Sequence, residues 1–126
     1  MTEAELKDRT KAFALRILKL VDALPDTKSG RVLANQLARS GSSVGANYRS
    51  ACRARSVADM ASKLSIVKEE ADESAFWLEL ICEVDLMSRE KIARLHAEAG
   101  EITAIMVASR KTLLARDRKS KIENRK

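Results

Sequence analysis

The chain has 126 residues, with 24 Lys and Arg against 18 Asp and Glu and only 3% aromatic residues. Its formal charge of +6 is compatible with a nucleic-acid partner, but this total does not say where the charge lies. Four Gly and one Pro are too few for the turns of an all-β fold, so the sequence predicts one all-α domain built from long helices.

The first half of the chain predicts two helices. Apolar residues recur at three- and four-residue steps over residues 3–24, and Pro25 ends this helix. A second helix is predicted over residues 31–55, where the apolar spacing continues in phase through a Ser- and Gly-rich stretch. Gly41 and Gly45 lie four residues apart on one side of it, which predicts close approach of another helix.

The second half predicts two more helices with sustained heptad spacing. The third covers residues 57–86 after an N-cap at Ser56, and the fourth covers residues 89–115 after Ser88. Short connections make successive helices antiparallel neighbours. The predicted architecture is therefore an antiparallel, up-down-up-down four-helix bundle.

Charge is distributed unevenly along the chain. Residues 28–63 hold seven basic side chains and one acidic side chain, whereas residues 64–109 hold four basic and ten acidic. The last seventeen residues hold eight basic and two acidic. Because residues 116–126 lack apolar periodicity, they are predicted to form a basic, flexible tail after a bundle of residues 1–115.

The basic second helix can be interpreted in two ways. Antiparallel pairing with the third helix places Arg39 opposite Asp72 or Glu73, which favours a hydrogen-bonded network within the bundle. Alternatively, the arginines of this segment contact nucleic acid. The polar side chains that share one side of this helix are Gln36, Arg39, Ser43 and Asn47.

No enzyme, cofactor or metal signature is found in the sequence. Cys52 and Cys82 are isolated and are expected to be buried, reduced thiols. His96, the only histidine, is expected at the boundary of the bundle or at its surface. No signal peptide or membrane-length apolar stretch is visible in the sequence, so a cytoplasmic protein without membrane contact is expected.

Several segments together resemble the bacterial four-helix bundle proteins known as 23S rRNA intervening-sequence proteins. The second-helix segments are Leu33-Ala34-Asn35-Gln36-Leu37-Ala38-Arg39-Ser40 and Ser43-Val44-Gly45-Ala46-Asn47-Tyr48-Arg49. The segment 63–74, followed by Trp77-Leu78-Glu79, resembles the third helix of that family. The motif residues carried over from the two helices are Gln36, Arg39, Ser43, Asn47, Lys63, Glu69 and Glu73.

The resemblance implies a ring-like homopentamer. It also implies a role as an accessory factor, because a related protein serves diversity-generating retroelements and is thought to bind nucleic acid and a reverse transcriptase. The leading hypothesis is a non-enzymatic homo-oligomer that binds RNA or DNA, with or without a protein partner. The alternative is a structural or protein-interaction module without nucleic-acid binding. The basic residues expected to contact nucleic acid are Arg49, Arg53, Arg55, Arg116, Arg118, Lys119 and Lys121.

Overall fold

A computed structural model describes residues 1–125 and contains four α-helices. Their bounds are Glu3–Asp22 for α1, Lys28–Cys52 for α2, Val57–Glu83 for α3 and Arg89–Asn124 for α4. Each helix packs along the next one in the chain, whereas α1 and α4 touch only sparsely. The predicted all-α, up-down-up-down bundle is confirmed.

The heptad positions supply the core. Phe13, Leu37, Leu78 and Met106 are fully buried and come from four different helices. Burial of such a side chain stabilises the fold by about 1.5–3 kcal/mol. The bundle is therefore held by one apolar core to which every helix contributes.

Glycines allow α1 and α2 to pack closely. A methyl group on Gly41 would lie 2.7 Å from Cγ2 of Ile17, and one on Gly45 would lie 3.3 Å from the Thr10 carbonyl oxygen. Both neighbours belong to α1. The close helix approach predicted for these glycines is confirmed, and it accounts for two poor helix formers in the middle of α2.

The helix ends differ from the predicted ones by a few residues. Prediction ends α1 at residue 24, α2 at residue 55 and α3 at residue 86, but each helix ends two or three residues earlier. The α2 helix also begins at Lys28 rather than residue 31, because the Thr27 side chain accepts a hydrogen bond from the Gly30 amide and caps it. Gly30 therefore belongs to the first turn of α2.

The largest difference concerns α4, which was predicted to end at residue 115 and continues to Asn124. No Gly or Pro interrupts this segment, and the Lys121 ammonium lies 3.2 Å from the Asp117 carboxylate one turn earlier. Such i,i+4 pairs support helical structure. The expected tail is thus helical over most of its length, while Lys126 lies outside the described residues.

Candidate functional site

The topology collects basic side chains from two segments at one end of the bundle. The last turn of α2 with the α2–α3 turn, and the end of α4, both lie there beside the start of α1. This end carries all of the residues predicted to contact nucleic acid. We call it the basic end, and it comprises Arg49, Arg53, Arg55, Arg116, Arg118, Lys119 and Lys121.

Most cations of the basic end are free of carboxylates. All seven side chains are exposed, and Lys121 pairs with Asp117. Within residues 1–125, the other six have no carboxylate within ion-pair distance. Their charges are therefore available to an external anion.

The last part of α4 projects beyond its neighbour. The Arg110 Nε atom donates a hydrogen bond of 3.2 Å to the Ala61 carbonyl oxygen, which places Arg110 one turn from the start of α3 at Val57. Residues 115–124, here called the α4 extension, therefore project beyond the first residue of α3 and are about 15 Å long. Arg116, Arg118 and Lys119 lie on this extension.

Two grooves near the basic end add cations that the sequence did not single out. The groove between α1 and α2 has a volume of about 210 Å³ and is lined by Lys7, Lys11 and Arg49. The groove between α3 and α4 has a volume of about 270 Å³, and its basic lining residues are Lys68, Arg110, Lys111 and Arg118. Because each group comes from two helices, sequence spacing alone could not assemble it.

Arg39 is held within the subunit. Its guanidinium bonds to the carboxylate of Glu73 and lies 3.2 Å from that of Glu70, so Arg39 faces Glu73 as the antiparallel pairing predicts. The Trp77 indole N–H donates to the same Glu73 carboxylate at 3.3 Å. We call Arg39, Glu70, Glu73 and Trp77 the Arg39 cluster.

The other motif residues do not join the Arg39 cluster. Lys63 lies 3.1 Å from Asp59 on its own helix, and the Asn47 amide donates to a carbonyl oxygen one turn earlier. Gln36 and Ser43 are half-buried and Glu69 is exposed, and none of these three bonds to the cluster in the described structure. The motif is therefore split into local contacts rather than forming one network.

A second ion cluster links α1 to α4. The Arg9 guanidinium donates to Glu98 at 2.6 Å and also bonds to Glu101. The Arg9 hydrogen bonds hold the pKa of Glu98 below its usual value, against the opposing effect of burial. This cluster closes the seam where the two helices pack most sparsely.

One side of α3 exposes apolar side chains. Phe76 is 50% exposed and stacks edge-on against Trp77, with ring centroids 5.2 Å apart. Ile66 and Val84 are also exposed, and their spacing of eleven and seven residues from Trp77 places all three on one side of the helix. We call Ile66, Phe76, Trp77 and Val84 the α3 outer face.

The reactive groups outside these clusters have ordinary structural environments. Cys52 and Cys82 are free thiols, but both are half-buried rather than buried. His96 lies at the bundle boundary, with Nε2 2.9 Å from Glu79. Among residues 1–125, no three His, Cys, Asp or Glu side chains are placed to bind a metal ion together. None of the described helices has an apolar stretch of the length needed to span a bilayer.

Comparisons with protein families and with solved structures both find relatives of this chain. The model of the 23S rRNA-intervening sequence protein family matches residues 2–108. A solved structure of a protein of unknown function from the S23 ribosomal protein family, from Bacteroides thetaiotaomicron VPI-5482, is 36% identical. The match covers 84% of this chain and 98% of that chain, with a TM-score of 0.79. No curated protein matches the sequence.

Proposed function

Because the chain belongs to the 23S rRNA-intervening sequence protein family, we propose that it is a non-enzymatic, homo-oligomeric accessory protein that binds RNA or DNA through its basic end. The observation that carries the proposal is the convergence of Arg49, Arg53 and Arg55 with the cations of the α4 extension. In an ordinary surface, cations are interspersed with carboxylates. Here six of them converge without a carboxylate partner among residues 1–125.

Contact with the phosphate backbone of a nucleic acid is the interaction that fits the basic end. Arginine and lysine neutralise phosphates and release counterions, so affinity falls steeply with salt. If all six unpaired cations contact phosphates of a duplex, the slope of log K against log salt is about −5, and affinity falls about a thousandfold between 50 and 200 mM salt. Such binding positions the protein on nucleic acid without reading its sequence.

Fluorescence anisotropy with labelled RNA and duplex DNA across a salt series tests the proposal. Combined substitution of Arg53, Arg55 and Arg116 by Ala should weaken binding and flatten the salt slope by about 3. The matched control replaces Lys28, Lys91 and Arg94 by Ala, which removes equal charge at the other end of the bundle. Equal losses in the two variants, or no binding at about 50 mM salt, would contradict nucleic-acid binding at the basic end.

The α3 outer face supports self-association, and family resemblance favours a pentamer. An exposed Phe76 beside the half-buried Trp77, flanked by two exposed aliphatic side chains, is typical of the centre of a subunit interface. Light scattering at micromolar concentration should give a mass of several subunits, and Phe76→Ser should lower it. Leu15→Ser, at a similarly exposed position on α1, is the control. A single-subunit mass for the natural chain would refute self-association.

The alternative function is a protein-interaction module without nucleic-acid binding. The Arg39 cluster favours it, because a basic side chain of α2 is there already neutralised by two carboxylates of α3. The same salt series separates the two functions. A well-defined oligomer that binds neither RNA nor DNA at about 50 mM salt would support the alternative.

A further inference from the structure

The α3–α4 groove and the α4 extension together form one continuous row of cations. The groove contains Lys68, Arg110, Lys111 and Arg118. The outer surface of the extension contains Arg118 again, with Lys119 and Ile122. Because Arg118 belongs to both surfaces, the cations pass from one to the other without a gap. We call Lys68, Arg110, Lys111, Arg118 and Lys119 the cation row.

The cation row rests on continuous helices and is largely unneutralised. Its members are exposed, and within residues 1–125 none lies within ion-pair distance of a carboxylate. Four of them lie on the single helix α4, and the Arg110 side chain is also anchored to the α3 backbone. Glu123 is the one acidic side chain that lines these two surfaces. Cations carried at fixed backbone positions of one continuous helix fit a stiff anion better than a flexible one, because less of the ligand's freedom is lost on binding.

Aromatic side chains are missing from this surface. Of the four aromatic residues of the chain, Phe13 and Tyr48 are buried in the core. Phe76 and Trp77 lie on α3, about 28 Å along the helix axis from Val57 at its start. Single-stranded nucleic acids are bound largely by stacking their bases on exposed aromatic rings. The basic end therefore offers phosphate contacts but no surface for unstacked bases.

Resting on the proposed function, we infer that the nucleic acid bound at the basic end is double-stranded and that the cation row lies along its phosphate backbone. A duplex keeps its bases stacked within itself and presents a stiff phosphate backbone, which matches both features of this surface. Duplex DNA and duplex RNA share this chemistry. The α4 extension distinguishes them, because an α-helix fits the major groove of B-form DNA but not the deep, narrow major groove of A-form RNA.

Anisotropy with four 20-nucleotide probes of one sequence tests the inference on the full-length protein. The probes are duplex DNA, duplex RNA and the corresponding single strands, each at about 50 and 200 mM salt. We expect each duplex to bind at least about tenfold more tightly than its strands at the lower salt. Tighter binding of duplex DNA than of duplex RNA would indicate that the extension enters the major groove. Equal affinity for the two duplexes would indicate contact with the backbone alone.

The variant Arg118→Ala/Lys119→Ala locates the contact. It should reduce the steepness of the salt slope for duplex binding by about 2, whereas the matched Lys91→Ala/Arg94→Ala control should leave the slope unchanged. Single strands that bind as tightly as the duplex, or a slope that both variants reduce equally, would overturn the inference while nucleic-acid binding itself stands. Failure of all four probes to bind would overturn the proposed function and this inference with it.

Discussion

Replacement of Gly41 by Ala tests the close approach of α1 and α2. The added methyl group would lie 2.7 Å from Cγ2 and 2.9 Å from Cγ1 of Ile17. Ile17 is fully buried and β-branched, so it cannot rotate into solvent, and the two helices must move apart or pack in strain. Overpacking of this kind costs about 1–3 kcal/mol.

Helix propensity opposes that cost. Alanine is favoured over glycine within a helix by about 1 kcal/mol, so Gly41→Ala should lower the free energy of unfolding by about 1 kcal/mol overall. Gly100 is the matched control, because nothing lies within 4 Å of a methyl group added there. Gly100→Ala should therefore raise the free energy of unfolding by up to about 1 kcal/mol. The difference between the two variants measures the packing cost alone.

Urea denaturation followed by circular dichroism, at equal protein concentrations, gives these free energies. In an Ile17→Ala background both γ carbons are absent and only the 3.0 Å contact with Cβ of residue 17 remains. The cost of Gly41→Ala should therefore be much smaller there than in the natural chain. If Gly41→Ala raises the stability of the natural chain as much as Gly100→Ala does, the reasoning about this crossing is refuted.

Three further predictions concern the ion clusters and a thiol. Because bonding to Arg9 lowers the pKa of Glu98, that pair stabilises the fold at neutral pH. The stability advantage of the natural chain over Glu98→Gln should begin to shrink below pH 4.5 and disappear below the lowered pKa of Glu98. An advantage in thermal unfolding that does not shrink below pH 4.5 would contradict this. Arg39→Ala should lower the free energy of unfolding by about 0.5–1 kcal/mol, because the ion pairs of Arg39 with Glu70 and Glu73 are half-exposed. An unchanged urea midpoint would contradict a stabilising role for the Arg39 cluster. Burial raises the pKa of the Cys52 thiol to about 11. In a Cys82→Ser background, alkylation of Cys52 at pH 8 should therefore be much slower in the native protein than in the urea-unfolded protein. Equal alkylation rates in the two states would contradict this prediction.

The fold could be predicted because its determinants are local. Heptad spacing of apolar residues and a single Pro set the number and order of the helices, and the same register paired Arg39 with Glu73. Helix ends were predicted less well, since they depend on individual caps such as Thr27. Charge density suggested a tail after residue 115, but neighbouring oppositely charged side chains and good helix formers continue α4 instead.

The candidate site could be predicted only in part. The arginines of the α2–α3 turn and the cations after Arg110 are dense enough in sequence to be noticed. Lys7, Lys11 and Lys68 are scattered among polar residues of other helices, and they join the basic surfaces only when antiparallel packing brings those helices side by side. The polar motif of α2 and α3 suggested one hydrogen-bonded network, but the observed side-chain contacts are separate and local. Residue spacing along a helix shows which side chains share a face, and it does not show how far each side chain reaches.

The two ends of the bundle also differ in how they respond to a distant charge. At the end opposite the basic end, Asp22, Asp26, Glu83 and Asp85 are accompanied by the cations Lys28, Lys91 and Arg94. Positive charge is therefore denser at the basic end than at the other, and the field of a polyanion turns the basic end forward before any contact forms. Encounters then occur more often in the productive orientation, so the rate of association, and not only the final affinity, should fall as salt screens the field.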